Sequence, residues 1–149
     1  MNSVSPAKQL AGFLARFDPR IATLGRAARA KLRRSLPGAV EMVYDNYNAL
    51  VIGYSPTARP SDAIVSIVIY PRAVNLCFLH GRHLADPAAL LRGDGNQVRS
   101  LRLDEGAATL DTPPVRALLA DAVAFAGIPF TGAHRLVIRS IAAKQRPRR

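Results

Sequence analysis

The chain has no tryptophan and a single cysteine, Cys77, among its 149 residues. One thiol excludes an internal disulfide and predicts a reducing compartment, the cytosol. Aromatic residues make up only 6% of the chain and are not interleaved with its basic clusters. That pattern speaks against the stacking platforms of single-strand nucleic-acid binders. No apolar run approaches the roughly 20 residues that a membrane-crossing helix requires, so no membrane partner is expected. The first twenty residues, MNSVSPAKQLAGFLARFDPR, are broken by charge where a signal peptide would be continuously apolar. Catalytic signatures are missing too. There is no Gly-x-Ser-x-Gly elbow, no phosphate-binding loop ending in Lys-Ser/Thr and no helix-turn-helix or zinc-finger spacing. Gly93-Asp94-Gly95-Asn96 has too few glycines, at the wrong spacing, for a dinucleotide fingerprint. No catalytic residue, metal site or cofactor is assigned on these grounds, and a binding role is favoured over an enzymatic one.

Acidic residues are also scarce, ten against 21 Lys and Arg, for a net charge of +11. The imbalance is local. Residues 1–37 hold eight bases and one acid, residues 135–149 six bases and no acid, and the interval between seven bases and nine acids. The basic character therefore belongs to the two ends. What remains is globular in composition, with 49% hydrophobic and 21% charged residues. At this length one domain with a substantial core is expected.

Local signals place the elements. Ser5-Pro6 caps a first helix with Leu10, Phe13, Leu14 and Phe17 on its apolar stripe. Asp18-Pro19 repeats the signal for a second helix, which runs to about Leu36 and stops at Pro37-Gly38. Val40–Tyr44 and Leu50–Tyr54 flank the turn Asp45-Asn46-Tyr47-Asn48 and read as a hairpin. Ala63–Tyr70 and Val74–Leu79 form a second hairpin about Pro71-Arg72. Asp86-Pro87 predicts a short helix through Leu91, with Gly93 to Asn96 as its C-terminal turn. An extended segment with Val98, Leu101 and Leu103 follows. Thr112-Pro113-Pro114 opens a last helix ended by Gly127, and Leu136–Ile141 is a final strand. Hairpin-linked strands predict an α+β fold, a single domain over residues 1–141 with a mostly antiparallel five- or six-stranded sheet and helices packed on it. Residues 142–149 read as a basic tail, frayed from the domain.

From Val40 to Ile141 the chain resembles the YdhG-like group of small α+β domains. The resemblance rests on the hairpin Ile64–Leu79 leading into Phe78-Leu79-His80-Gly81. It continues through Leu84-Ala85-Asp86-Pro87 and Leu90-Leu91-Arg92-Gly93-Asp94-Gly95-Asn96 to Val98-Arg99-Ser100-Leu101-Arg102-Leu103, with Pro114–Phe125 as the group's last helix. It implies a fold more than an activity. Some members carry a frataxin-like, iron-chaperone label, which implies clustered carboxylates, because hard iron ions prefer oxygen ligands. The basic helical region offers only Asp18. Glu41 and Asp45, four apart on one strand face, come nearest to such a feature. Iron handling is kept as a second alternative.

The densest polar and aromatic cluster is the turn Tyr44, Asp45, Asn46, Tyr47, Asn48, the kind of grouping that suits a small-ligand or partner-protein site. The candidate ligand residues are Tyr44, Asp45, Tyr47 and Asn48, with Arg99 adding positive charge. The first alternative is nonspecific binding of a polyanion such as nucleic acid through Arg26, Arg29, Arg33, Arg34, Arg146, Arg148 and Arg149, if the two basic ends converge. His80, His83 and Asp86 lack the three or four convergent groups at defined spacing that metal sites use. Cys77, inside an apolar strand, reads as a small packed thiol.

Overall fold

The computed structural model describes residues 4–149. Helix α1 (Pro6–Ala15) begins where Ser5 accepts the Lys8 amide hydrogen, and α2 (Pro19–Ser35) where Asp18 accepts that of Arg20. In both, proline at the first helical position removes an amide that would have had no intrahelical partner. Strands β1 (Val40–Asp45), β2 (Leu50–Ser55), β3 (Val65–Tyr70), β4 (Ala73–Phe78) and β5 (Arg99–Arg102) follow, then α3 (Pro113–Ala126) and β6 (Arg135–Ile141).

They form one six-stranded sheet in the order β5-β4-β3-β2-β1-β6. Neighbours from β5 to β1 pair antiparallel, as short connections require, whereas β6 returns after the α3 crossover and pairs parallel to β1. The expected α+β architecture is therefore present, with helices on the sheet. Alternation decides which side chains meet them. Val43, Leu50, Ile52, Tyr54, Val65, Ile67, Ile69, Leu76 and Phe78 share a core with Leu14, Phe17, Ala28, Leu32, Val115 and Leu118 from the helical layer. Val40, Met42 and Val68 are buried as well, on alternate strand positions. Since side chains alternate faces along β1, Glu41 and Asp45 share the Val43 face and point into the helical layer.

Two expectations change. Residues 86–91 are not helical. The Asp86 carboxylate accepts from the amides of both Leu90 and Leu91, at 2.9 and 2.8 Å, and Ala89 adopts a left-handed φ of 54°. Side-chain capture of those amides substitutes for the helical ladder, and the left-handed residue prevents its continuation. Leu84, Leu90 and Leu91 still pack on the core, so the segment is an ordered loop. The second change concerns residues 142–149, which are not frayed. They fold back, and Arg148 is 3% exposed. No helix among the described residues is long and apolar enough to cross a membrane.

Candidate functional site

Glu41 is a carboxylate with no solvent exposure in the middle of an apolar strand. An isolated buried charge is strongly unfavourable, so its partners explain why it is tolerated. Arg29, from the middle of α2, donates Nε–H to Oε2 and Nη2–H to Oε1, both at 2.9 Å, in a bidentate fork. Tyr54, opposite Glu41 on β2, donates its hydroxyl to Oε2 at 2.7 Å. His134, one residue before β6, places Nε2 2.6 Å from Oε1. A carboxylate only accepts, so Nε2 carries the hydrogen that faces Oε1. Nδ1 lies 3.3 Å from Nη2 of Arg33, whose Nε is 3.8 Å from Glu41.

The electrostatics follow from this arrangement. Burial by itself would raise the Glu41 pKa, but hydrogen bonds from Arg29, His134 and Tyr54 and the Arg29 charge outweigh it, so the carboxyl titrates below its ordinary value. Burial and the neighbouring carboxylate push the Tyr54 phenol well above its ordinary value, which keeps it a hydrogen donor. Burial pulls the Arg29 pKa down, but the Glu41 contacts more than compensate.

In front of this buried array lies an open cleft of about 450 Å³, lined by Ala30, Arg33, Arg34, Leu36, Pro37, Gly38 and His134. No acidic side chain is among its lining residues. Gly38 makes the cleft geometrically possible. Its φ is +83°, and a Cβ there would sit 2.6 Å from the Gly132 carbonyl oxygen. Only glycine lets the turn after α2 approach residues 130–134 so closely, and this approach delivers His134 to Glu41.

The residues singled out in the sequence are distributed over several places. Tyr44 lies on the other face of β1 from Asp45, with its hydroxyl 4.0 Å from Met42 Sδ. Tyr47 is exposed, and Asn48 Oδ1 accepts from Arg146 at 3.4 Å. Asp45 is buried and paired with Arg148 at 2.8 Å. Arg99 is separate: β5 lies four strand spacings from β1, about 19 Å. Its guanidinium donates to the carbonyls of Gly95 and Val98.

Of the basic set, Arg33 and Arg34 line the cleft, and Arg26 is exposed on the same helix. Arg29 and Arg148 are engaged by the buried carboxylates Glu41 and Asp45. Arg149 donates to the carbonyls of Ala15 and Arg16. The two basic ends touch at Arg16, which also donates to Gln145 at 3.3 Å, but the α2 arginines stand apart from the tail. The end of α2 lies beside the start of β6, and the tail docks beyond its finish, about 23 Å away for seven residues.

Since arginines neutralise both Glu41 and Asp45, these residues do not form an anionic patch. His83 stacks on Phe125 with ring centroids 4.9 Å apart, and His80 tilts against the same ring. Among the described residues no group of three His, Cys, Asp or Glu side chains is placed to hold a metal ion. Cys77 is half-buried, and burial pushes its thiol up to about 11.

The sequence paired Glu41 with Asp45 as the nearest approach to a metal-attracting feature and did not connect either with His134. The available signal was one acid inside the apolar run Ala39-Val40-Glu41-Met42-Val43, which implies a buried partner without naming it. No family model, curated protein or solved structure matches the chain, so its own geometry carries the functional reading.

Proposed function

We propose that the protein is a non-enzymatic YdhG-like domain of the cytosol that binds a small anionic ligand in the cleft between the end of α2 and His134. The observation that carries this reading is the cleft's composition. Arg33, Arg34 and His134 line it with no acidic side chain in the lining itself, and the buried Glu41 behind them holds His134 and borders Arg33. A buried ionic array is weak evidence for stability and better explained by specificity, since well-packed apolar residues would fill the same space at least as favourably. Here it fixes His134 against Arg33 and leaves the Arg33 and Arg34 guanidinium groups as the donors at the opening, the arrangement that anion recognition requires. Leu36, Pro37 and Ala30 supply an apolar wall for the rest of a ligand.

The alternative, a polyanion lying along Arg26, Arg33 and Arg34, is favoured by the exposure of those side chains on one helix. Calorimetric titration with pyrophosphate and with a short oligonucleotide separates the two. Arg34 has no side-chain partner among the described residues, so Arg34→Gln leaves the Glu41 array intact. It is expected to weaken pyrophosphate binding about tenfold, the equivalent of one charge-assisted hydrogen bond. Equal affinity in the variant and wild type, or no binding in either, refutes the small-anion reading. Oligonucleotide binding that falls steeply with salt while pyrophosphate fails to bind would support the polyanion instead.

A further inference from the structure

The turn joining β1 to β2 holds a second built site, of opposite sign to the cleft. Asp45 Oδ1, the Asn46 carbonyl and the Tyr47 carbonyl point toward one position, and the Phe17 ring closes it from the side. In the folded chain that position is filled by the guanidinium of Arg148. Its Nη2 donates to Asp45 Oδ1 at 2.8 Å and to the Asn46 carbonyl at 2.6 Å, its Nη1 to the Tyr47 carbonyl at 3.3 Å, and its Cζ lies 5.3 Å from the Phe17 centroid. Three acceptors and an aromatic face match the planar fork of a guanidinium and not the point charge of an ammonium.

We infer that this turn is a guanidinium-recognition socket whose ligand is an arginine side chain on an extended protein segment, and that Arg148 occupies it as a ligand supplied by the same chain. Two observations support a socket over simple packing of a tail. First, the acceptors are held independently of Arg148: the Asn46 amide donates to the Ala49 carbonyl across the turn, and the β1–β2 register is complete from Val40 to Asp45. Second, Arg148 is the one buried side chain of residues 142–149; the rest of the segment is held at its backbone, by the Ala142 and Arg146 amides on the Asp45 and Tyr47 carbonyls, and by exposed or half-buried side chains. Arg146, Pro147 and Arg149 around it are all exposed, and the segment has no regular structure. Asp45 Oδ2 is buried without a hydrogen-bond partner, with the Arg16 guanidinium 3.7 Å away. The socket therefore keeps acceptor capacity beyond what Arg148 uses. In a chain of net charge +11, this buried carboxylate makes the turn selective for a cation that the rest of the surface would repel.

The test empties the socket and offers the ligand back. Full-length Arg148→Ala is melted with increasing N-acetyl-arginine amide or, as a probe of equal charge, N-acetyl-lysine amide. The expected result is a saturable rise in Tm of about 3 °C or more with the arginine probe and a much smaller one with lysine. Asp45→Asn in the same background should remove the difference. Arg148→Lys keeps a cation near Asp45 and serves where Arg148→Ala does not accumulate folded; it too should respond to the arginine probe above the lysine probe. Equal response to both probes, no response to either, or a response that survives Asp45→Asn overturns the inference.

Discussion

Replacing Glu41 by Gln tests the buried array that organises the cleft. Glutamine keeps the shape and one accepting oxygen, for Tyr54 or for His134, but Arg29 loses its counter-charge and one of its two acceptors, where an amide NH2 now faces its guanidinium. Breaking a buried pair by removing one partner costs roughly 3–5 kcal/mol. Arg29 retains partial solvent access, 23% of its side chain, so water recovers part of that loss. About 3 kcal/mol at neutral pH is therefore expected, with Tm lowered by about 6–12 °C for a domain of this size. The pH dependence follows from the direction of the Glu41 shift. Because hydrogen bonding outweighs burial and holds the folded-state pKa below its ordinary value near 4.5, the carboxylate's contribution is fully present above that value. It is lost as pH falls through the lower folded-state pKa, where the protonated acid resembles glutamine. Urea denaturation at pH 7 and pH 3 measures this, with unchanged m-values showing that the denatured state is the same. A gap under about 1 kcal/mol at pH 7, or one equally large at pH 3, would refute the account of Glu41 as a charged organising group.

Gly38→Ala places a Cβ against the Gly132 carbonyl at a left-handed φ, and a loss of about 1–3 kcal/mol is expected in urea denaturation. A loss below about 0.5 kcal/mol would show that the turn after α2 does not depend on that approach. Cys77, with its thiol pushed up to about 11, should react with iodoacetamide at pH 8 on the order of a hundredfold more slowly than an exposed cysteine. Alkylation at the free-thiol rate would contradict its placement.

The secondary structure was legible where its causes are local. Ser5-Pro6 and Asp18-Pro19 announce helices because a cap and its proline act within four residues. The hairpins were legible because alternation and turn chemistry sit side by side in the chain. Residues 86–91 misled for a related reason: Asp-Pro is also the start of a side-chain-capped loop. Nothing local distinguishes an Asp86 that captures the Leu90 and Leu91 amides from one that caps a helix. The spacing of Glu41 and Asp45 placed them on one face, but not whether that face turned inward. Both faces of Val40–Asp45 are apolar enough to be covered, and both are buried.

The sequence by itself determined the class of fold, the two basic ends and the presence of acids inside an apolar strand, because composition and periodicity are properties of the chain. Only the tertiary structure decided which charges neutralise one another. Glu41 meets His134 across 93 residues and Asp45 meets Arg148 across 103, because β6 returns parallel to β1 and carries one basic end past both carboxylates. The apparent surplus of arginine thereby divides into cations held by buried acids, Arg29 and Arg148, and cations left facing a cleft, Arg33 and Arg34. That division depends on which strand lies beside which, and no segment of the chain contains it.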